Sequence, residues 1–261
     1  MLIEVLRAVR REIVQITKPA PTGSVNESAS VFGVDDGELY RMFIESGGGD
    51  IHKWHHYFAI YERYFARFRE KPISLLEIGV SKGGSLRLWR KYFGPAAQIT
   101  GIDVDPECSK YSSEGFNVSI GDQSDPEFLA TVAEKYGPFD IVIDDGGHSA
   151  RQQFVSYEIL FPNVKDGGIY LVEDLHTSFW PAFMDYQAGV SFIDIASRMV
   201  EKLTWWHRDP GAMTRFGRPL AERTGNVDVP EITRSIFSIA FYDSVIVFEK
   251  KKIPEPWHEI R

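Results

Sequence analysis

The sequence predicts an α/β fold built on a doubly wound, mostly parallel β-sheet of seven strands. From residue 74 onward, short apolar runs rich in β-branched residues alternate with patterns typical of amphipathic helices. Five of these runs end in acidic or glycine-rich stretches, and open α/β sheets bind ligands beyond the carboxyl ends of their strands. The last two runs, residues 236–241 and 245–248, are separated by three residues. That spacing is typical of a hairpin, which would add an antiparallel strand at the end of the chain.

The first predicted strand, residues 74–78, leads into a glycine-rich loop, residues 79–85, and then into a predicted helix. Glycine lets the backbone approach a ligand closely, and the start of a helix offers free amide donors. Such a loop does not by itself identify the ligand. The residues of the loop that we interpret as ligand-binding are Gly79, Ser81, Gly83 and Ser85.

The next two predicted strands, residues 98–102 and 116–120, are each followed by an acid. Asp103 lies about 20 residues after the loop, a spacing at which an acidic side chain commonly holds a ribose diol. Asp122 follows the next strand and could bind a nucleoside base. These strand ends therefore predict a ligand that contains a nucleoside.

Glu77 distinguishes between nucleoside cofactors. A dinucleotide-binding loop would read GxGxxG and approach a pyrophosphate, whereas here Glu77 precedes Gly79 and the next glycines are Gly83 and Gly84. A carboxylate at this position would repel a pyrophosphate but would help to hold an ammonium group, directly or through water. The pattern favours S-adenosylmethionine.

Two further predicted strands, residues 140–143 and 168–172, are followed by carboxylates and imidazoles. If the strands are neighbours, these groups converge on one crevice. Carboxylate oxygens suit a hard divalent cation, and a nearby imidazole suits proton transfer. The polar residues that follow the two strands are Asp144, Asp145, His148, Glu173, Asp174 and His176.

For some of these groups the sequence leaves more than one role open. Successive residues of a strand face opposite sides, so only one of Asp144 and Asp145 is expected in a given metal site, and the other would face the cofactor or hold the turn. His148 either takes a proton from a metal-acidified hydroxyl or is a loop histidine that bonds a carboxylate. His176 is interpreted as an outer group rather than a ligand.

Residues 1–72 are predicted to form a helical cap and lid segment. Residues 2–16 show the apolar stripe of an amphipathic helix that could pack on the body or on another subunit, and residues 17–30 read as a linker. Aromatic residues from Trp54 to Phe68 recur at helical spacing. They predict a helix that buries this face, while its start could also cover the crevice through His52, Lys53, His56 and Tyr57.

Residues 73–261 are predicted to form the ligand-binding domain, with a substrate-binding insertion at about residues 180–234. The insertion contains a predicted helix over residues 190–203, followed by two tryptophans. Its aromatic residues either pack together or form a wall for an apolar acceptor.

Composition limits the classes of function. The chain has 261 residues, 43% of them hydrophobic, and a formal net charge of −8, so the basic footprint of a nucleic-acid binder is missing. Its single cysteine cannot form an internal disulfide and suits a reducing compartment. No apolar run approaches the roughly 20 residues of a membrane span. We therefore expect a soluble, cytoplasmic protein that binds a small molecule.

Six motifs together resemble the metal-dependent sugar O-methyltransferases of macrolide biosynthesis, the macrocin and mycinamicin type. They are LEIGVSKGGS, GIDVDP, GDQSD, IDDGGH, LVEDLHTSFW and FYDSVIVFEK. The resemblance implies a Rossmann-like class I methyltransferase fold and a homo-oligomer. It also implies that Mg²⁺ is held by Asp145, Glu173 and Asp174, and that His148 is the general base.

The function expected from these patterns is the methylation of a hydroxyl on the deoxysugar of a glycosylated natural product, with S-adenosylmethionine and Mg²⁺ as cofactors. Two enzymatic alternatives stay open: a metal-dependent methyltransferase for phenols or catechols, and a nicotinamide-dependent oxidoreductase. A binding module without catalysis is a third alternative, which would leave the carboxylates and His148 without a purpose.

Overall fold

The computed structural model describes residues 37–46, 50–181, 183 and 190–259. They belong to one compact unit, Asp36–Arg261. The predicted helix over residues 2–16 and the linker over residues 17–30 lie outside the described residues. The predicted boundary near residue 72 stays a prediction.

The described residues contain a seven-stranded sheet in the order β3-β2-β1-β4-β5-β7-β6. Strands β1 to β5 run parallel, whereas β7 is antiparallel to both β5 and β6. The predicted fold class is therefore confirmed. The strands are β1 Ser74–Ile78, β2 Gln98–Asp103, β3 Asn117–Ile120, β4 Phe139–Asp144, β5 Val164–Val172, β6 Ile236–Tyr242 and β7 Val245–Lys250.

Strand β5 starts four residues earlier than the pattern predicted. The sequence Lys165-Asp166-Gly167-Gly168 is typical of a turn, so the prediction began at Gly168. In the structure Val164 already pairs with Phe139, and the register then shifts before Ile141 pairs with Ile169. An irregularity in the ladder thus accommodates the polar residues within the strand.

Helices pack on both faces of the sheet. Side chains of a strand alternate between faces, so Leu76 and Ile78 join a core with helices α4 to α6, whereas Glu77 contacts Trp89 of α3 on the other face. The helices of the described residues are α1 Glu38–Ser46, α2 Tyr57–Phe65, α3 Gly84–Phe93, α4 Pro126–Tyr136, α5 Ala150–Leu160, α6 Phe192–Lys202, α7 Ala212–Phe216 and α8 Glu231–Ser235. None of these helices is long and apolar enough to span a bilayer.

The register of the central strands aligns their carboxyl ends. Ile78 pairs with both Ile102 and Asp144, and Asp144 pairs with Val172. The residues that follow these strands therefore lie in one row along the edge of the sheet. The row crosses the point between β1 and β4 where the strand order reverses. Open α/β sheets bind ligands at such a switch point. The row consists of Gly79, Asp103, Asp145 and Glu173.

The predicted aromatic helix before β1 is present as α2. Its Tyr61 and Phe65 are fully buried and pack edge-on against Trp89 of α3. Trp54 precedes the helix and is 45% exposed. The helix thus buries the predicted face.

The predicted insertion contains helix α6, which begins after a capping box formed by Ser191 and Asp194. Beyond it, Trp206 and Phe216 are buried in a small cluster with Ala212 and Val229. Packing is therefore the observed role of these two aromatic side chains.

Candidate active site

A cavity of about 470 Å³ opens at the carboxyl edge of the sheet. Its volume lies in the range typical of small-molecule sites, about 300–1,000 Å³. Glu77, Gly83 and Glu173 are not in its lining. The predicted site residues that line it are Gly79, Ser81, Ser85, Asp103, Asp122, Asp145, His148 and Asp174.

The glycine-rich loop is fixed by close backbone contact and by Asp103. Gly79 has φ of 93°, and a Cβ there would collide with the carbonyl oxygen of Asp145. Asp103 Oδ2 accepts hydrogen bonds of 2.8 Å from the backbone N–H groups of Val80 and Ser81. Asp103 therefore shapes the loop as well as lining the cavity, a role that the sequence did not reveal.

Glu77 is fully buried beside the loop. Its Oε2 accepts a hydrogen bond of 2.7 Å from Ser85 Oγ, and its Oε1 accepts one of 3.0 Å from Trp89 Nε1. Burial raises the pKa of Glu77 to about 7, against the opposing effects of the Lys53 charge and of these donors. The carboxylate thus supports the loop and places an acid near the cavity.

Replacing Glu77 by Gln should stabilise the ligand-free protein by about 1–3 kcal/mol near pH 8, and by much less near pH 5. The folded-state pKa is raised, so the stability contributed by protonated Glu77 is lost as the pH rises through about 7. Glutamine avoids this loss and can still accept from Trp89 and donate to Ser85 Oγ. Denaturant unfolding across this pH range measures the difference, and a pH-independent difference would contradict the assignment.

Asp144 does not line the cavity. It is fully buried, and its Oδ1 accepts a hydrogen bond of 3.0 Å from Gln123 Nε2. Gln123 Oε1 in turn accepts one of 2.6 Å from the backbone N–H of Gly147. Of the two roles left open for Asp144, the structure therefore supports holding the turn. Gln123 lies in the GDQSD motif, but no local pattern in the sequence identified it as the partner of Asp144.

Asp145, His148 and Asp174 form the group of described residues that could hold a metal ion. Each offers one ligand atom, and these atoms lie within 4.8 Å of one another. The carboxylate oxygens are the donors that Mg²⁺ prefers. His148 Nε2 lies 3.8 Å from Asp174 Oδ2, while His148 Nδ1 is buried and has no hydrogen-bond partner among the described residues.

The backbone at this group is strained. His148 and Asp174 have φ of 61° and 54°, in the left-handed region that non-glycine residues seldom adopt. Ser81, which also lines the cavity, has φ of 47°. Such outliers persist where the surrounding structure enforces them, and they cluster at functional sites. Their position here supports a functional role for the cavity.

Glu173 accepts hydrogen bonds from residues that precede β1 in the sequence. Its Oε2 lies 2.7 Å from Lys53 Nζ, and its Oε1 accepts a hydrogen bond of 2.6 Å from the Tyr61 hydroxyl. Lys53 Nζ also lies 2.5 Å from Asp145 Oδ2, and the Tyr57 hydroxyl donates to Asp174 Oδ1 at 2.7 Å. Of the four residues predicted to cover the crevice, Lys53 and Tyr57 contact its carboxylates and His52 lines the cavity, whereas His56 Nε2 contacts the carbonyl oxygen of Asp243 instead. The role of Tyr61 was missed.

Burial has the largest effect on the pKa values of the ionisable groups in this cluster. Burial and then the charge of Asp145 raise the pKa of Glu173, while Lys53 opposes this shift. Burial alone would lower the pKa of Lys53, but the charges of Asp145 and Glu173 outweigh it and raise that pKa above its usual range. Lys53 is therefore a buried ammonium held by two carboxylates.

His176 lies apart from the carboxylates. Its ring makes edge-on contacts with Trp54 and Trp180, at centroid distances of 5.5 and 4.7 Å. This position agrees with the interpretation of His176 as an outer group.

Comparison with known proteins agrees with this geometry. Residues 76–175 match the family model described as a methyltransferase domain. This part of the chain therefore resembles a methyltransferase domain. A similar protein is the 8-demethyl-8-alpha-L-rhamnosyl tetracenomycin-C 2'-O-methyltransferase of Streptomyces olivaceus, 36% identical over 76% of this chain and 52% of the relative. Another is the mycinamicin VI 2''-O-methyltransferase of Micromonospora griseorubida, 43% identical over 47% of this chain and 32% of the relative.

A solved structure supports the same grouping. The MycE methyltransferase of the mycinamycin biosynthetic pathway, in complex with Mg, SAH and mycinamycin VI, matches 86% of this chain and 55% of its own. The TM-score is 0.68 and the identity 29%. The resemblance to sugar O-methyltransferases and the class I methyltransferase fold are thus confirmed. The matched part of the chain spans about half the length of the first of these relatives and about a third of the second.

Proposed function

We propose that this chain is an O-methyltransferase that uses S-adenosylmethionine and Mg²⁺ to methylate a hydroxyl on the deoxysugar of a glycosylated natural product. The observation that carries the proposal is the single cavity that joins the loop at Gly79, the acid Asp103 and the group of Asp145, His148 and Asp174. A nucleoside cofactor and an acceptor hydroxyl can meet there. The names of the relatives support a sugar as the acceptor.

The strand ends offer a site for each part of the cofactor. We propose that Asp103 binds the ribose, that Asp122 lies near the adenine, and that the loop from Gly79 to Ser85 holds the amino-acid end with Glu77 beside it. S-adenosylmethionine supplies an electrophilic methyl group on a sulfonium. Because Glu77 is bonded to Ser85 and Trp89, it would act on the ammonium by its charge or through water.

Replacing Asp103 by Ala should weaken binding of S-adenosylhomocysteine about 10- to 100-fold, since a hydrogen bond to a charged group contributes about 1.5–3 kcal/mol. The loss of its bonds to Val80 and Ser81 would also loosen the loop. Isothermal titration calorimetry measures the effect. Glu107→Ala, at an exposed side chain, is the control, and an unchanged dissociation constant for Asp103→Ala would remove Asp103 from the site.

We propose that Asp145, Glu173 and Asp174 hold Mg²⁺. Asp145 and Asp174 line the cavity, whereas Glu173 does not and pairs with Lys53 and Tyr61, so it would have to exchange one of these partners for the ion. Three carboxylates provide hard oxygen donors and a negative charge that suits a divalent cation. The ion would act as a Lewis acid that favours the ionised form of the acceptor hydroxyl.

His148 is proposed as the general base. The hydroxyl oxygen bonds to the methyl carbon as the bond from that carbon to sulfur breaks, and the hydroxyl proton passes to the imidazole. Asp174 Oδ2, 3.8 Å from His148 Nε2, stabilises the imidazolium that forms. The tight turn through Gly146 and Gly147 lets His148 and Asp145 face the same cavity.

Comparison of acceptors tests the proposal. The initial rate of methyl transfer should be high for a deoxysugar glycoside and negligible for its aglycone and for catechol. Efficient methylation of catechol would favour the phenol-type alternative. Binding of NADH with no binding of S-adenosylmethionine would favour an oxidoreductase.

A further inference from the structure

Lys53 occupies a specific position in the acidic cluster. Its Nζ lies 2.5 Å from Asp145 Oδ2 and 2.7 Å from Glu173 Oε2, and its side chain is only 4% exposed. A buried ammonium in this position forms charge-assisted hydrogen bonds with both carboxylates. Lys53 thus neutralises charge at two of the three carboxylates proposed for Mg²⁺.

An ammonium and a divalent cation make similar demands on these oxygens. Both need carboxylate lone pairs, and two cations in one small, buried site repel each other. Two of the other oxygens also accept hydrogen bonds, since Tyr61 donates to Glu173 Oε1 and Tyr57 donates to Asp174 Oδ1. Lys53 is therefore the group in this set whose charge opposes that of the metal ion.

We propose that Lys53 is an internal counter-ion that competes with the divalent cation for Asp145 and Glu173, and so sets the affinity of the site for metal. The inference rests on the metal site of the proposed function. Without metal, Lys53 keeps the two carboxylates paired and ordered. When metal binds, the ammonium gives up the carboxylate oxygens that the ion takes, and breaking these ion pairs lowers the net binding free energy.

Lys53 belongs to a different part of the chain from the carboxylates that it contacts. It lies outside residues 76–175, which match the methyltransferase family model, and four residues before Tyr57, the first residue of helix α2. Competition at Asp145 therefore links metal binding to the segment that leads into α2. Lys53 acts here as a positioning residue for the carboxylates.

The test measures binding of Mg²⁺ to the full metal-free chain by isothermal titration calorimetry. Lys53→Met removes the charge at similar size, and the dissociation constant for Mg²⁺ should fall about tenfold or more because a close repulsive charge is gone. The melting temperature without metal should fall as well, since two buried carboxylates lose their partner. Lys53→Arg keeps the charge and should bind Mg²⁺ as the unaltered chain does.

Lys165→Met is the matched control. Lys165 Nζ lies 2.7 Å from Asp140 Oδ2, and Asp140 is at the opposite end of strand β4 from Asp145. This variant should leave the dissociation constant for Mg²⁺ unchanged.

These measurements distinguish failure of the counter-ion role from failure of the metal site. An equal or weaker affinity in folded Lys53→Met would overturn the counter-ion role while leaving the metal site intact, and no Mg²⁺ binding to the unaltered chain would overturn both. If Lys53→Met does not fold without metal, Mg²⁺ should restore its circular dichroism spectrum. Failure to fold at saturating Mg²⁺ would contradict the proposal, because the cation would not replace the ammonium.

Discussion

Replacing His148 by Ala should lower the single-turnover rate of methyl transfer by about 10² to 10⁴, the usual contribution of general acid–base catalysis. The His148 imidazole lines the cavity beside Asp145 and Asp174. Without it, the acceptor hydroxyl would lose its proton to water. Binding of S-adenosylhomocysteine should change little, because the residues proposed to bind it lie on other strand ends.

Two controls make this result specific. His148→Asn suits the left-handed backbone at this position and lacks a basic nitrogen, so it should lose activity equally while keeping native stability. His176→Ala should retain most of the activity because His176 contacts Trp54 and Trp180 rather than the carboxylates. Greater damage from His176→Ala would contradict the base assignment.

Removing the metal should lower turnover by at least about 10²-fold, since Lewis-acid stabilisation contributes several kcal/mol to the transition state. Treatment with a chelator and the substitution Asp174→Asn should both have this effect. The binding of S-adenosylhomocysteine should largely survive, because Asp103 and the glycine-rich loop remain in place.

Radiometric methyl-transfer assays with and without added Mg²⁺ measure the effect. Asp140→Asn is the control, since this carboxylate lies at the other end of β4 and bonds Lys165. Its activity should stay dependent on Mg²⁺ and should remain far above that of Asp174→Asn. Full activity after thorough chelation would contradict the metal requirement, and the site would then be an acidic pocket without a catalytic metal.

The sheet was predictable because its strands are short apolar runs with clear ends. In parallel strands buried on both faces, hydrophobicity is nearly continuous, as at Ile141, Val142 and Ile143, which are all fully buried. The polar residues just after the strands then fall into one row by register. Alternation along the strand likewise anticipated that Asp144 and Asp145 would have different roles.

The side-chain network around Glu173 was less predictable. Lys53 and Tyr61 reach Glu173 across more than a hundred residues of sequence, and no local pattern encodes such a pairing. Periodicity identified Tyr61 correctly as a buried aromatic residue, but it does not show where the hydroxyl points. The hydrogen bond between Glu77 and Trp89 could not be predicted for the same reason, because Trp89 lies on helix α3 and not on the strand of Glu77.

In the proposed reaction, a methyl group passes in this cavity from S-adenosylmethionine to a sugar oxygen. The most direct measurement is a reaction of S-adenosylmethionine carrying a ¹³C-labelled methyl group with a rhamnosylated aglycone in the presence of Mg²⁺, followed by NMR of the product. We expect one labelled O-methyl group with long-range coupling to a sugar proton. A label on the aglycone, on nitrogen or on carbon, or no labelled product from a chain shown to bind both ligands, would contradict it.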